Sequence, residues 1–203
     1  IVRELSPHDF GQVGAYLAIV NIATVVIGLS VHGIVSVVHF RDGQNAVPAY
    51  VRGAMRLAVM TGVPLIFLSA FASIFFGGIT GIPSAWAWTA VLVAMTQFII
   101  ALAMAVFQAR EQPLSYASLQ VGTTIGWALI SIALISGIGM GWEGRIVGQI
   151  FATLIMSILS VFLLYRSGVF NITTKAVPIR TLLNFGMPLV PHSLAGALIA
   201  GSD

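Results

Sequence analysis

Arg52 and Arg56 stand four residues apart, so a helix carrying them sets two guanidinium groups on one face. Paired guanidiniums suit a pyrophosphate, because each planar fork donates parallel hydrogen bonds to phosphate oxygens. The plainer use of the pair is topological, since arginines at the cytoplasmic end of a membrane span fix its orientation. His32 and His39 stand two helical turns apart, which suits proton relay or contact with sugar hydroxyls, although a hydrogen-bonded structural histidine is the plainer reading of each. They belong to a longer row. On a helix turning about 100° per residue, Asn21, Thr24, Gly28, His32, Ser36 and His39 fall within an arc of about 120°. Gln149, Thr153, Ser157 and Ser160 repeat the pattern later in the chain. Such rows either hydrogen-bond to neighbouring helices or line a hydrophilic cavity, because a polar group facing lipid is costly. Two of them suggest a shared interior.

Nothing in the sequence forms a catalytic constellation. There are no paired carboxylates, no Ser/His/Asp arrangement in a recognisable context, no phosphate-cradling glycine loop and no cluster with metal-ligand spacing. A transporter without cofactor or metal is expected, not an enzyme.

The elements that position these residues follow from composition. Of the 203 residues 58% are hydrophobic and 7% charged, and the mean hydropathy is +1.01. Soluble domains carry roughly 25% charged residues, so lipid is the solvent here. The absence of cysteine excludes a disulfide scaffold and a thiolate metal site. The net charge of +3 comes from basic residues scattered singly between apolar runs, not gathered in a stripe, and nucleic acid is not an expected partner.

A span needs about 20 helical residues. The charge-free runs predict spans over 12–38, 57–77, 86–107, 115–137 and 146–165, with a sixth opening near 184. "GGITGIPSAWAW" supplies the glycines, proline and interfacial tryptophans of the turn between the second and third. The connections after the first, third and fifth spans hold Arg41, Arg52, Arg56, Arg110, Arg166, Lys175 and Arg180, whereas the opposite side holds Arg3 and Arg145. The basic-rich side is the cytoplasmic one, so the first of these spans runs inward. The chain begins at Ile1 without methionine or a signal peptide, and one further span is expected before it. Gly122 with Gly126, Gly144 with Gly148, and Ala58 with Gly62 have the spacing of close helix contacts.

Four segments together carry a resemblance: "RELSPHDFGQVGAYLAIVNI", "FQAREQPLSYASLQVG", "GWEGRIVGQIFA" and "LLNFGMPLVPHSLAGALIAGSD". In this order and on this topology the chain resembles the polysaccharide flippases of the multidrug/oligosaccharidyl-lipid/polysaccharide exporter superfamily, especially O-antigen and exopolysaccharide repeat-unit translocases. The resemblance implies an all-α, polytopic membrane bundle of two similar six-helix halves around a hydrophilic cavity. Residues 1–180 would be most of the first half, and 181–203 the start of the second. It also implies that Pro188 and Pro191 loosen the seventh span of the intact protein, and that Asp203 stands where the family commonly has the Asp of an Asp-Arg pair. The implied activity is alternating-access transfer of an undecaprenyl-pyrophosphate-linked oligosaccharide to the outer leaflet of a bacterial inner membrane. Implied partners are that lipid-linked oligosaccharide, membrane lipids, a polysaccharide polymerase and other assembly proteins. Its cavity would draw on Asn21, Thr24, His32, Ser36, His39, Gln149, Thr153, Ser157 and Asp203, with Arg52 and Arg56 at the cytoplasmic mouth.

Three other readings remain open. A multidrug or peptidoglycan-precursor exporter of the same superfamily would share the architecture. A membrane glycosyltransferase or polysaccharide polymerase would carry a large external loop or acidic catalytic residues, and the external loops here are short. A partial chain that inserts without transporting is the third.

Overall fold

A computed structural model describes residues 6–76, 84–170 and 175–200. Among the described residues all regular structure is helical, and five helices are long and apolar enough to cross a membrane. Helices satisfy their own backbone hydrogen bonds, which is what lets them cross hydrocarbon.

The first, α1 (Pro7–Gly28), opens on a capping box. Ser6 Oγ accepts the Asp9 backbone N–H at 3.2 Å, and the Asp9 carboxylate accepts that of Ser6 at 3.0 Å. Pro7 costs nothing in the first turn, where its missing N–H would have had no partner. The helix therefore begins ahead of the apolar run at residue 12. It also ends early. Leu29 (φ 43°) and Ser30 (φ 56°) are left-handed, a conformation that costs an L-residue about 1–2 kcal/mol. A single 3₁₀ turn, Val31–Gly33, then leads into α2 (Ile34–Asp42). The expected continuous span over 12–38 is thus two helices with a break, and the single polar arc from Asn21 to His39 is interrupted at Leu29. Close contacts hold the break open. A Cβ on Gly28 would overlap the Phe98 ring, and one on Gly186 would overlap the Leu29 carbonyl, so both positions need glycine.

The next helix, α3 (Val47–Phe76), starts well before the expected Leu57. Val47, Val51, Ala54, Leu57 and Ala58 are buried at helical spacing, so the packed face runs straight past both arginines. Arg52 and Arg56 consequently lie inside α3, not at its start. The following helix, α4 (Ser84–Ala109), is the hub: 61% of its span window is buried, against 17–44% for the other four, and it packs against α1, α2 and α3 as well as the two spans that follow.

Those two are α5 (Pro113–Ile132), extended by a π turn over Ala133–Gly137, and α6 (Trp142–Arg166). Because α6 starts at Trp142, Arg145 lies in its opening turn and not in the expected connection. The small-residue pairs sit at helix contacts. A Cβ on Gly122 would meet Met156 Cε at 2.7 Å, one on Gly126 would meet Ala152 at 3.6 Å, Gly148 faces Ser131, and one on Gly62 would meet Met95 Sδ at 2.6 Å. At the far end of α6, Arg110 Nη1 donates to the Ser167 carbonyl at 2.9 Å, placing a cation on a helix C-terminus.

The chain finishes with α7 (Ile179–Gly186), a 3₁₀ turn over Met187–Leu189 and α8 (Val190–Ala200), with Pro188 in that turn and Pro191 in the first turn of α8. The α7 helix packs on α3 and α8 on α1. Asp203, Arg3 and the turn at 77–83 lie outside the described residues.

Candidate functional site

The break after α1 leaves a small cavity in the span, into which a few polar side chains reach. Left-handed backbone at Leu29 and Ser30 ends the helix, and Ser30 Oγ meets Ser193 Oγ of α8 at 2.6 Å. Around them lies a cavity of about 90 Å³, lined by Thr24, Val25, Ser30, His32, Phe98, Ala101 and Ser193. Liquid water occupies about 30 Å³ per molecule, so this volume holds about three waters. A glycan would fit only if α1 and α8 moved apart.

Of the residues singled out on the first span, this cavity gathers Thr24 and His32. Thr24 Oγ1 donates to the Val20 carbonyl at 2.8 Å and lies 3.4 Å from Gln97 Oε1 of α4. Asn21 is half-buried on α1. Ser36 and His39 are carried on α2, beyond the break. The His39 ring lies edge-on to Phe40 at 5.3 Å, and its Nδ1 is buried without a hydrogen-bond partner.

The α6 row behaves differently. Gln149, Thr153, Ser157 and Ser160 are all buried. Thr153 Oγ1 donates to the Gln149 carbonyl at 2.9 Å, Ser157 Oγ to that of Leu154 at 2.9 Å, and Ser160 Oγ to that of Met156 at 2.8 Å. Hydroxyls that donate to their own helix, as Thr24 also does, keep only acceptor lone pairs for a ligand, and a phosphate, itself an acceptor, cannot use those. A larger groove of about 510 Å³ runs past Ser157, but its other walls are Ile158, Val161, Phe162, Tyr165 and Phe170, which bring no cation to a phosphate.

At the basic-rich end of α3, Arg52 is half-buried. Its Nε donates to the Pro48 carbonyl at 3.4 Å and its Nη2 is covered without a partner. Arg56, one turn on, is exposed. Neither forms an ion pair among the described residues, where Arg41–Asp42 is the one such pair.

Several polar residues were not singled out from the sequence. Ser30 and Ser193 are far apart in the chain, and no periodicity joins them. Gln120, Thr124, Trp127 and Ser131 did carry a signal, recurring at helical spacing on one face of α5, with Gln120 and Thr124 exposed. Above that face the Arg145 guanidinium stacks on Trp127, 3.8 Å from the ring centroid.

Comparison with curated proteins and with solved structures returns no match. Comparison with family models does return one, and it is consistent with what the helices show: five apolar spans, a hub helix, and polar groups gathered where the first span breaks. The model described as polysaccharide biosynthesis protein matches residues 1–203, the whole chain, and the chain therefore belongs to that family of membrane flippases.

Proposed function

We propose that the protein translocates a lipid-linked oligosaccharide, with undecaprenyl pyrophosphate as the lipid carrier, across a bacterial inner membrane. The observation that carries this reading is the break of the first span, where Ser30 bonds Ser193 of α8 and Thr24 and the exposed His32 line the small cavity beside them. Moving a pyrophosphate and a sugar through hydrocarbon requires a polar path, and groups facing lipid cannot supply one. The break puts such groups between α8 and the helices that precede it, the boundary at which two bundles would rock. Residues up to about 180 would form the first bundle, and α8 would open the second. Arg52, with an unpartnered guanidinium nitrogen, and the exposed Arg56 would receive the pyrophosphate at the cytoplasmic mouth. Surface polysaccharide polymerase and related assembly proteins would then use the delivered unit.

Complementation tests the reading. Cells lacking their own repeat-unit flippase, but supplied with cognate repeat synthesis, should regain surface polymer when the protein is expressed. Absence of polymer despite verified insertion and a matched substrate would instead favour a multidrug or lipid-precursor exporter.

A further inference from the structure

Arg145 is a cation that the fold draws into the membrane. It stands in the first turns of α6, near Trp142, where a long basic side chain ordinarily extends outward to the headgroups. Ser131 Oγ donates to the Arg145 carbonyl at 3.4 Å, which sets the Arg145 backbone level with Ser131 on α5. The guanidinium nevertheless lies on Trp127, one helical turn deeper, 3.8 Å from the ring centroid. Trp127 stands ten residues in from Gly137, the end of that span. The side chain therefore points inward. Its Nη1 is fully covered and has no hydrogen-bond partner, and Glu143, although exposed nearby in the chain, does not pair with it.

Stacking on an indole offsets only part of the cost of desolvating a guanidinium, and the rest calls for an anion. The surface beside Trp127 is open to one, because Thr124 and Gln120 are exposed along the same face of α5. A free anion would have to leave water to reach this depth, whereas an anion carried on a lipid is already held in the membrane. We propose that Arg145 and Trp127 form a site for a lipid-borne phosphate or pyrophosphate in the basic-poor half of the membrane. It rests on the translocation reading and adds a second station to it, across the membrane from Arg52 and Arg56. There Arg145 supplies the planar hydrogen-bonding fork, and Trp127 fixes its plane.

Native mass spectrometry of the purified protein with undecaprenyl pyrophosphate tests this site. In an Arg52→Gln, Arg56→Gln background, which removes the cytoplasmic station, the protein should still retain the lipid, and adding Arg145→Gln should weaken binding about tenfold, the loss of one charge-assisted contact. Trp127→Phe should weaken binding a few-fold, and Arg145→Lys should not restore it fully. Excess inorganic pyrophosphate should compete poorly; complete displacement would mean that the site reads a free anion, overturning the lipid-borne assignment. Equal binding with and without Arg145→Gln in that background, the protein being folded, would overturn the site while leaving translocation intact. If Arg145→Gln does not fold, equal binding by Trp127→Phe and Arg145→Lys would do the same. A protein that neither binds the lipid nor restores surface polymer would defeat both readings, whereas restored polymer without binding would defeat the site alone.

Discussion

On α6, Thr153, Ser157 and Ser160 turn their hydroxyls back onto carbonyls of their own helix, while at the end of α1 Ser30 reaches across to a hydroxyl on α8. Ser30 lies off the row that runs from Asn21 to His39, and Thr24 on that row donates to the Val20 carbonyl just as the α6 hydroxyls donate to theirs. The difference lies in the backbone. Within an unbroken helix, a Ser or Thr proton has a carbonyl three or four residues back, and the side chain is satisfied locally. At Leu29 and Ser30 the helix stops, the local acceptor is lost, and the hydroxyl must find a partner elsewhere in the fold or in water. A hydroxyl thus bonds across the bundle where the helix under it stops.

The largest test of that contrast attacks the break itself. Gly186→Leu would drive a side chain into the Leu29 carbonyl, and Gly28→Leu would drive one into Phe98. Each should destabilise the protein by about 3 kcal/mol, the upper range for overpacking, read as a fall in Tm in detergent. An unchanged Tm would show that packing does not hold the break.

Next in size is the hydrogen bond across it. Ser30→Ala and Ser193→Ala should each cost about 1 kcal/mol and lower transport several-fold with normal insertion. The double variant should cost little more than either alone, because the two share one interaction. Full additivity would dissolve the pair.

Smaller effects are expected on α6. Ser160→Ala and Thr153→Val remove hydroxyls that only back-bond, so stability should move by about 0.5 kcal/mol and transport should stay at the wild-type level. A transport loss matching that of Ser30→Ala would erase the distinction between the break and α6.

The smallest effect belongs to a polar pair that solvent, not a helix, already satisfies. The Arg41 guanidinium beside Asp42 holds that carboxyl below its ordinary value of 3.8. A depressed folded pKa stabilises above the unfolded pKa, and the contribution fades as pH falls through the folded one. Both groups are exposed, so Asp42→Asn should leave Tm unchanged within error at neutral pH, and the wild type should lose nothing measurable as pH drops below 4.

The sequence by itself determined the solvent and the number of spans, because a membrane helix satisfies its backbone internally and local hydropathy decides whether it crosses. It also placed the small residues that let helices approach, since Gly122, Gly126 and Gly62 act through their own missing side chains. Charges misled where they were taken as boundaries: α3 begins before Arg52, and α6 before Arg145, because a packed apolar face continues past a single arginine. Only the tertiary structure decided that the first span breaks at Leu29, since that depends on Phe98 and Gly186, residues distant in the chain that no periodicity connects to it. For the same reason, only the fold brought Ser30 to Ser193 and turned Arg145 inward onto Trp127. A helix can be read from its own residues, but a gap in one is held open by its neighbours.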